Sequence, residues 1–249
     1  MSASLTITTL AERPEYTDRL WQMPDSWVPF MLNDPVAGAC LGQVPDVFPE
    51  FVLIATEPDG TLVARGLSVP FALAARGGEL PDRGWDQVLT WALSDRRRGT
   101  APDTVTALEI AIRPDAQGSG LSAVLLTAMR RNAATRGFTT LVAPVRPSAK
   151  HHEPRTPMSE YAFRTRDHDG LPHDPWLRVH VRAGATVEKV APASMTISGS
   201  LTEWRGWTSL PFDQSGPVDV PGALAPVHCD LSADTAVYVE PNVWLRHAI

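Results

Sequence analysis

The chain has 249 residues, a formal net charge of −6 at pH 7 and a hydrophobic fraction of 43%. A chain of this length can bury a substantial core as one domain. The acidic balance argues against nucleic acid or an anionic membrane surface as the main partner, and it is compatible with a cationic amine as a substrate. No apolar run approaches the ~20 residues that a transmembrane helix requires.

Cysteine and lysine usage indicates the compartment and the source. Cys40 and Cys229 are the only cysteines, and they form neither a disulfide framework nor a metal-binding pattern, which is typical of a reducing cytoplasm. Residues 1–16 lack the basic start and apolar core of a signal peptide, so we expect no secretory leader. Lys150 and Lys189 are the only lysines, and this arginine bias, with abundant Ala and Pro, indicates a bacterial source with a high-GC genome.

The first predicted elements alternate between strand and helix patterns. They are, in chain order, an edge strand at 4–10, a short helix at 14–23, an apolar segment broken by proline at 25–32, a β-hairpin at 50–57 and 61–73, and a helix at 84–98. The hairpin prediction depends on Asp59-Gly60 between two apolar runs, a strong signal for such a turn. Apolar side chains at helical spacing, from Trp85 to Leu93, predict the helix.

A strand, a glycine-containing turn, a helix and a second strand follow. Residues 106–113 predict a strand that ends at Pro114, residues 121–135 a helix, and residues 139–146 the next strand. Gly118 and Gly120 in the turn allow backbone N–H groups to converge at the helix N-terminus, a geometry that binds phosphate. The segment therefore predicts a nucleotide-like ligand that is bound through its phosphates.

The C-terminal part begins with a polar insertion that proline interrupts repeatedly. This insertion covers 147–175, and it is followed by a helix at 175–185, a strand at 187–199, a helix at 201–210 and a pair of strands within 225–247. Because long ordered loops in compact domains are often functional, we expect the insertion to line or cover a binding pocket. Exchange of the C-terminal strand pair would be a simple route to a homodimer.

The glycine turn carries the motif that is most informative about function. Residues 117–122, Gln-Gly-Ser-Gly-Leu-Ser, fit neither the three-glycine dinucleotide fingerprint nor the P-loop. Following a strand that ends in Ile112-Arg113-Pro114, they resemble the acetyl-CoA-binding motif of the GNAT acyltransferase superfamily, Q/R-x-x-G-x-G/A. Ser122 departs from this pattern, since Gly or Ala is usual there. The resemblance covers residues 104–147, and the rest of the chain only by the order of its elements.

This resemblance implies an α+β fold with a GNAT-like mixed central sheet, helices on both of its faces, and the phosphate-binding strand-turn-helix at 106–136. It implies one domain over residues 1–249, with a core at 4–200, the insertion at 147–175 and a C-terminal extension at 201–249. The implied activity is transfer of an acetyl or other acyl group from acyl-CoA to the amine of a small molecule, by direct attack through a tetrahedral intermediate. The acyl-CoA would contact Ile110, Ala111, Ile112, Arg113, Gln117, Gly118, Ser119, Gly120, Leu121 and Ser122.

Two residues are candidates for the proton transfers that the reaction needs. Glu109 is the candidate base, because strand alternation places it beside the small Ala107 and Ala111 on the ligand side. Its alternative is an exposed or ion-paired glutamate. His180 is the candidate acid, because it occupies the position, four residues before Gly184, where the family often has a tyrosine. Its alternative is a packing histidine on a helix face.

The amine acceptor is assigned only in outline. Trp27, Phe30 and Met31 would supply apolar walls and Tyr161 a polar contact, although core packing is an alternative for Trp27. The His and Asp residues of the insertion match no zinc or iron spacing, so no metal is expected. The alternative for the whole chain is a non-catalytic module of the same fold that binds CoA or an acyl carrier. Such a module would keep its CoA affinity when Glu109 and His180 are changed.

Overall fold

A computed structural model describes residues 5–249 of the chain, so the first residue of the strand predicted at 4–10 lies outside the described residues. The strands are β1 (Thr6–Thr9), β2 (Val52–Thr56), β3 (Leu62–Phe71), β4 (Thr104–Ile112), β5 (Thr140–Val145), β6 (Ala185–Ser200), β7 (Gly216–Val218), β8 (Val227–Asp230) and β9 (Thr235–Ala248). The α-helices are α1 (Pro35–Cys40), α2 (Val44–Val47), α3 (Gly84–Arg98), α4 (Leu121–Thr135), α5 (Met158–Tyr161), α6 (Pro175–Arg182) and α7 (Leu201–Thr208).

Within residues 5–249, all nine strands belong to one mixed sheet. Its order is β1-β2-β3-β4-β5-β9-β8-β7, and β6 pairs with β9 in addition. Among the described strands, only the β4–β5 pair is parallel, and α4 provides the crossover that a parallel connection requires. The mixed sheet with helices on both faces confirms the predicted α+β class.

Helices α3 and α4 cover opposite faces of the sheet. On β3, the Phe71 ring lies 6.2 Å from the Trp91 ring of α3, whereas a Cβ atom on Gly66 would lie 3.3 Å from Sδ of Met129 in α4. Odd- and even-numbered residues of a strand point to opposite faces, so Arg65 and Leu67 lie on the α3 face. The core therefore has two layers, one on each side of the sheet.

Most predicted elements are confirmed, including the hairpin, the helix at 84–98 and the strand-turn-helix-strand at 106–146. The helix predicted at 14–23 is instead two 3-10 turns, Pro14–Tyr16 and Leu20–Gln22. Pro24 disfavours helical geometry at the residue before it, and the Leu20 carbonyl accepts a hydrogen bond from Arg65 rather than from a further helical turn.

The insertion at 147–175 is packed against the body through buried polar groups. Lys150 is fully buried, and its Nζ donates to the carbonyls of Glu153 and Leu224 at 2.6 and 2.7 Å. The Tyr161 hydroxyl donates to Asp174 at 3.0 Å, and Asp174 also caps α6.

No helix of the described chain has the length and apolar character needed to cross a membrane.

Candidate active site

The parallel strands β4 and β5 separate after a short paired region. Their register pairs residues 105–106 with residues 141–142, and the described chain has no further pair between them. β4 nevertheless continues to Ile112 and β5 to Val145. The diverging strands leave backbone N–H and C=O groups facing a slot, and an extended ligand can pair with such groups as an added strand would.

The unpaired end of β4 leads into the glycine turn that connects it to α4. Gly118 and Gly120 have φ values of +75° and +81°, in the left-handed region that favours glycine. A Cβ atom on either would meet nothing within 4 Å, so the backbone there is open to a ligand. Gly120 is the N-cap of α4, and no described side chain caps this helix, so its first N–H groups can bind an anion.

Gln117 connects the turn to the segment that precedes α1. Its Nε2 donates to the Ile112 carbonyl at 3.2 Å and to the Ser26 hydroxyl at 3.0 Å. The Arg113 guanidinium forms ion pairs with two carboxylates. Its Nε lies 2.5 Å from Oδ1 of Asp115, and its Nη2 lies 3.8 Å from Oε1 of Glu57. The predicted acyl-CoA residues, 110–113 and 117–122, thus lie at the unpaired end of β4, in the glycine turn and at the start of α4.

A β-bulge in β4 sets the position of Glu109. The register with β3 shifts just after Leu67, which lies opposite Glu109, and Leu108 becomes the extra residue. The Leu108 carbonyl accepts a hydrogen bond of 3.0 Å from Nε1 of Trp85, at the start of α3. Glu109 shares the face of Leu67, so its side chain lies on the α3 side of the sheet.

The Glu109 carboxylate forms a buried ion pair with Arg65. Arg65 donates from Nε to Oε2 at 2.9 Å and from Nη2 to Oε1 at 3.0 Å, and Nε1 of Trp27 donates to Oε1 at 2.7 Å. Arg65 also donates to Asp25 at 2.7 Å and to the Leu20 carbonyl at 3.2 Å. Three of the roughly four lone-pair positions of the carboxylate are therefore occupied.

The segment 21–34, which we call the bridging segment, contacts both the glycine turn and this ion pair. It supplies Ser26 to Gln117, Trp27 to Glu109, and Asp25 to Arg65. Sequence reasoning did not identify Arg65 or Asp25. Arg65 could have been noticed as the one charge in an apolar strand, because a buried arginine requires a carboxylate partner.

His180 lies in α6 and contacts groups other than Glu109 and the glycine turn. Its Nδ1 is 3.1 Å from Nε2 of His247 in β9, and its ring meets the Trp176 ring edge-on at 4.6 Å. Burial, and secondarily the neighbouring His247, lower the pKa of His180 to about 3. Burial likewise lowers the pKa of His247 to about 4. Both imidazoles are therefore neutral at pH 7.

The four predicted acceptor residues have different surroundings. Trp27 contacts Glu109, whereas Phe30 is 1% exposed, with its ring 5.3 Å from the Tyr238 ring. Met31 and Tyr161 are also buried. Burial raises the pKa of the Tyr161 hydroxyl, which is bonded to Asp174. The structure thus places Trp27 at the ion pair and the other three predicted residues in the core.

Two surface cavities lie away from these groups. One of about 420 Å³ is lined by residues such as Phe48 and Phe138, and one of about 710 Å³ by residues such as Thr8 and Arg131. Neither is lined by Glu109 or by the glycine turn. Within residues 5–249, no group of His, Cys, Asp and Glu side chains is arranged to hold a metal ion.

Known proteins resemble the chain in sequence and in fold. No family model matches it. An arginine N-acetyltransferase of Aspergillus versicolor, avaD, is 30% identical over 273 residues, which cover 98% of this chain and 93% of that protein. Two solved structures have a similar fold: the loading GNATL domain of CurA from Lyngbya majuscula, with a TM-score of 0.61 and 18% identity, and the GphF GNAT-like decarboxylase in complex with isobutyryl-CoA, with a TM-score of 0.59 and 14% identity. Each covers 98% of both chains.

Proposed function

Because the chain belongs to the GNAT acetyltransferase superfamily and is an N-acyltransferase, we propose that its acceptor is the α-amine of arginine or of a closely similar guanidino compound. The proposal takes its acceptor class from the arginine N-acetyltransferase that matches the chain along 98% of its length. The formal net charge of −6 is compatible with a cationic acceptor.

The donor is acyl-CoA, and its placement is supported by the separation of β4 from β5 and by the glycine turn at the uncapped N-terminus of α4. We expect the pyrophosphate on the backbone amides of residues 118–122, at the uncapped N-terminus of α4. The pantetheine arm would pair with Ile110, Ala111 and Ile112 where β4 has separated from β5. This position brings the thioester toward the bulge at Leu108 and Glu109.

The nitrogen that reacts follows from the acidities of the two basic groups of arginine. The guanidinium cannot be deprotonated near neutral pH, whereas an α-amine, with a pKa of about 8, supplies an appreciable free-base fraction. The free amine attacks the thioester carbonyl, an N–C bond forms, the C–S bond breaks, and CoA leaves as the thiolate. The nitrogen loses one proton, and the thiolate can take one up.

Glu109 is the proposed acceptor of that proton, through its remaining lone-pair position. Its ion pair with Arg65 and its bond from Trp27 would fix the carboxylate relative to the bulge. His180 as the acid stays a prediction. With a pKa of about 3, it would act as a neutral N–H donor and not as an imidazolium.

Several finer predictions also stay proposals. A cytoplasmic location is supported by the free thiols of Cys40 and Cys229. A bacterial source is supported by composition alone. A homodimer formed by strand exchange would require β9 to leave β5 and β6, which flank it within one chain.

The test measures CoA release with acetyl-CoA and a panel of amines, alongside calorimetric binding of acetyl-CoA. Turnover with arginine is expected to exceed turnover with lysine or with uncharged amino acids. For the donor site, Gly120→Val is compared with Gly137→Val, because both glycines have positive φ and open space, at opposite ends of α4. Only Gly120→Val should abolish acetyl-CoA binding. Equal binding by both variants, or no turnover with any guanidino amine, would contradict the proposal.

A further inference from the structure

Two buried carboxylates lie at the N-termini of two neighbouring helices. Asp34 caps α1, and its Oδ1 accepts the Ala37 N–H at 2.7 Å. Asp86 lies in the first turn of α3, which packs against α1. The two residues are 1% and 2% exposed. Oδ2 of Asp34 and Oδ1 of Asp86 are both buried without a hydrogen-bond partner in the described chain.

No cation of residues 5–249 forms a salt bridge with either carboxylate, although others in the same region are compensated. Glu240 accepts from Arg146 at 3.0 Å and from the Tyr238 hydroxyl at 2.9 Å. Carboxyl oxygens that are buried without partners are costly, and a cation that supplies donors removes that cost. Asp34 and Asp86, which we call the acidic pair, therefore have the chemistry of an empty cation site.

Each residue of the acidic pair is close in sequence to a tryptophan that contacts the proposed active site. Asp34 ends the bridging segment, whose Trp27 contacts Glu109. Trp85, the residue before Asp86, donates from its indole to the Leu108 carbonyl in the β4 bulge at 3.0 Å. The segment from Trp27 to Asp34 and the peptide bond between Trp85 and Asp86 thus link the acidic pair to the groups around Glu109.

The cover over the acidic pair is thin. None of the six residues of α1 is buried, and a Cβ atom on Gly38 would meet nothing within 4 Å. Because α1 is short and none of its residues is fully buried, opening it to admit a ligand would break few contacts, mainly those of Val36, Ala37 and Cys40 with the core.

We propose that the acidic pair binds the guanidinium of the acceptor and so directs its α-amine toward the thioester. The inference rests on the proposed function, because it names the residues that recognise the arginine-type substrate. A planar guanidinium has five N–H donors and can serve two carboxylates at once, whereas a lysine ammonium is a point charge.

Protonation of the acidic pair should make arginine binding depend on pH. Burial raises the pKa of Asp86 to about 8, and the neighbouring Asp34 adds to the rise. The other charged groups that face Asp86 are Arg83, which lowers its pKa, and Glu240, which raises it and is itself paired with Arg146. Cys40 of α1 also lies near the pair.

The empty site therefore has a protonated Asp86 at neutral pH, and a bound guanidinium favours the ionised form. Binding should release a proton, and arginine affinity should rise between about pH 6 and about pH 9. Calorimetry of the wild-type protein in buffers of different ionisation enthalpy measures this release. A binding enthalpy that does not depend on the buffer would overturn the assignment.

The kinetic test compares arginine with citrulline, which has the same shape and a neutral urea in place of the guanidinium. Asp34→Asn and Asp86→Asn are measured against Asp46→Asn, a change at an exposed aspartate of α2. We expect each pair variant to raise the KM for arginine about tenfold or more and to lose the preference for arginine over citrulline. The KM for acetyl-CoA should not change.

Thermal unfolding separates this role from a structural one. An amide in place of a buried carboxyl group that lacks a cationic partner should leave the Tm unchanged or raise it, whereas loss of a structural group should lower it. Pair variants that keep the wild-type preference for arginine would contradict guanidinium binding by the acidic pair, and the proposed function would still stand. Absence of turnover with any guanidino amine in the wild type would overturn both.

Discussion

Arg65 and Glu109 form a bidentate ion pair between adjacent strands, with Nε 2.9 Å from Oε2 and Nη2 3.0 Å from Oε1. The side chains are only 3% and 4% exposed. Breaking one partner of such a pair leaves an uncompensated buried charge, at a cost of about 3 to 5 kcal/mol. The pair therefore serves stability as well as the position of the carboxylate beside the slot.

Glu109→Gln is expected to lower kcat about a hundredfold or more and to leave the KM for acetyl-CoA unchanged. The amide cannot accept the proton from the amine and leaves Arg65 with Asp25 as its remaining carboxylate partner. Because Asp25 still pairs with Arg65, the free energy of unfolding, measured in urea, should fall by less than the about 3 to 5 kcal/mol that an uncompensated buried charge costs. A variant that loses stability but keeps its kcat would remove Glu109 from the chemistry.

Trp27→Phe removes the indole N–H that donates to Oε1 of Glu109 at 2.7 Å and keeps most of the ring. A hydrogen bond to a charged group contributes about 1.5 to 3 kcal/mol, so kcat/KM for the amine should fall by about one to two orders of magnitude. Trp91→Phe is the matched control, because that tryptophan stacks on Arg76 at 4.6 Å and lies on α3. Equal losses in the two variants would contradict a specific role for Trp27.

Tyr161→Phe tests whether the insertion contacts the acceptor. The hydroxyl donates to the buried Asp174, so its loss should lower the free energy of unfolding by about 1 kcal/mol. The KM values for both substrates should remain those of the wild type, because the hydroxyl is already hydrogen-bonded to Asp174 and the side chain packs within the core. A raised KM for the amine would instead support the sequence-based prediction that Tyr161 binds substrate.

His180 should make stability depend on pH through its depressed pKa. Its pKa is about 3 in the folded state and about 6.5 when unfolded, so the unfolded chain binds more protons between these values. Stability should therefore fall as the pH falls below about 6.5, by up to about 1.4 kcal/mol per unit for one such histidine. Urea unfolding at pH 7 and pH 5 should show a smaller decrease for His180→Gln than for the wild type. An equal decrease would show that the histidine titrates normally.

The sequence allowed the local parts of the site to be predicted, because a glycine turn between a strand and a helix is determined by adjacent residues. The contacts of Glu109 could not be predicted, since Arg65 is 44 positions away along the chain and reaches it only through strand pairing. The acidic pair could not be predicted for the same reason, because its two residues become neighbours only when α1 packs on α3. β9 is a further case: it comes from the segment predicted as a C-terminal extension, yet it lies inside the sheet between β5 and β6.

The most direct test of the account is mass spectrometry of the product formed from arginine and acetyl-CoA, with fragmentation to locate the new acyl group. We expect one added acetyl group on the α-nitrogen, with the guanidinium unmodified, and no product from Gly120→Val. An acetyl group on the guanidinium would contradict the proposed recognition of that cation by Asp34 and Asp86. No acetylated arginine at all would contradict the proposed function.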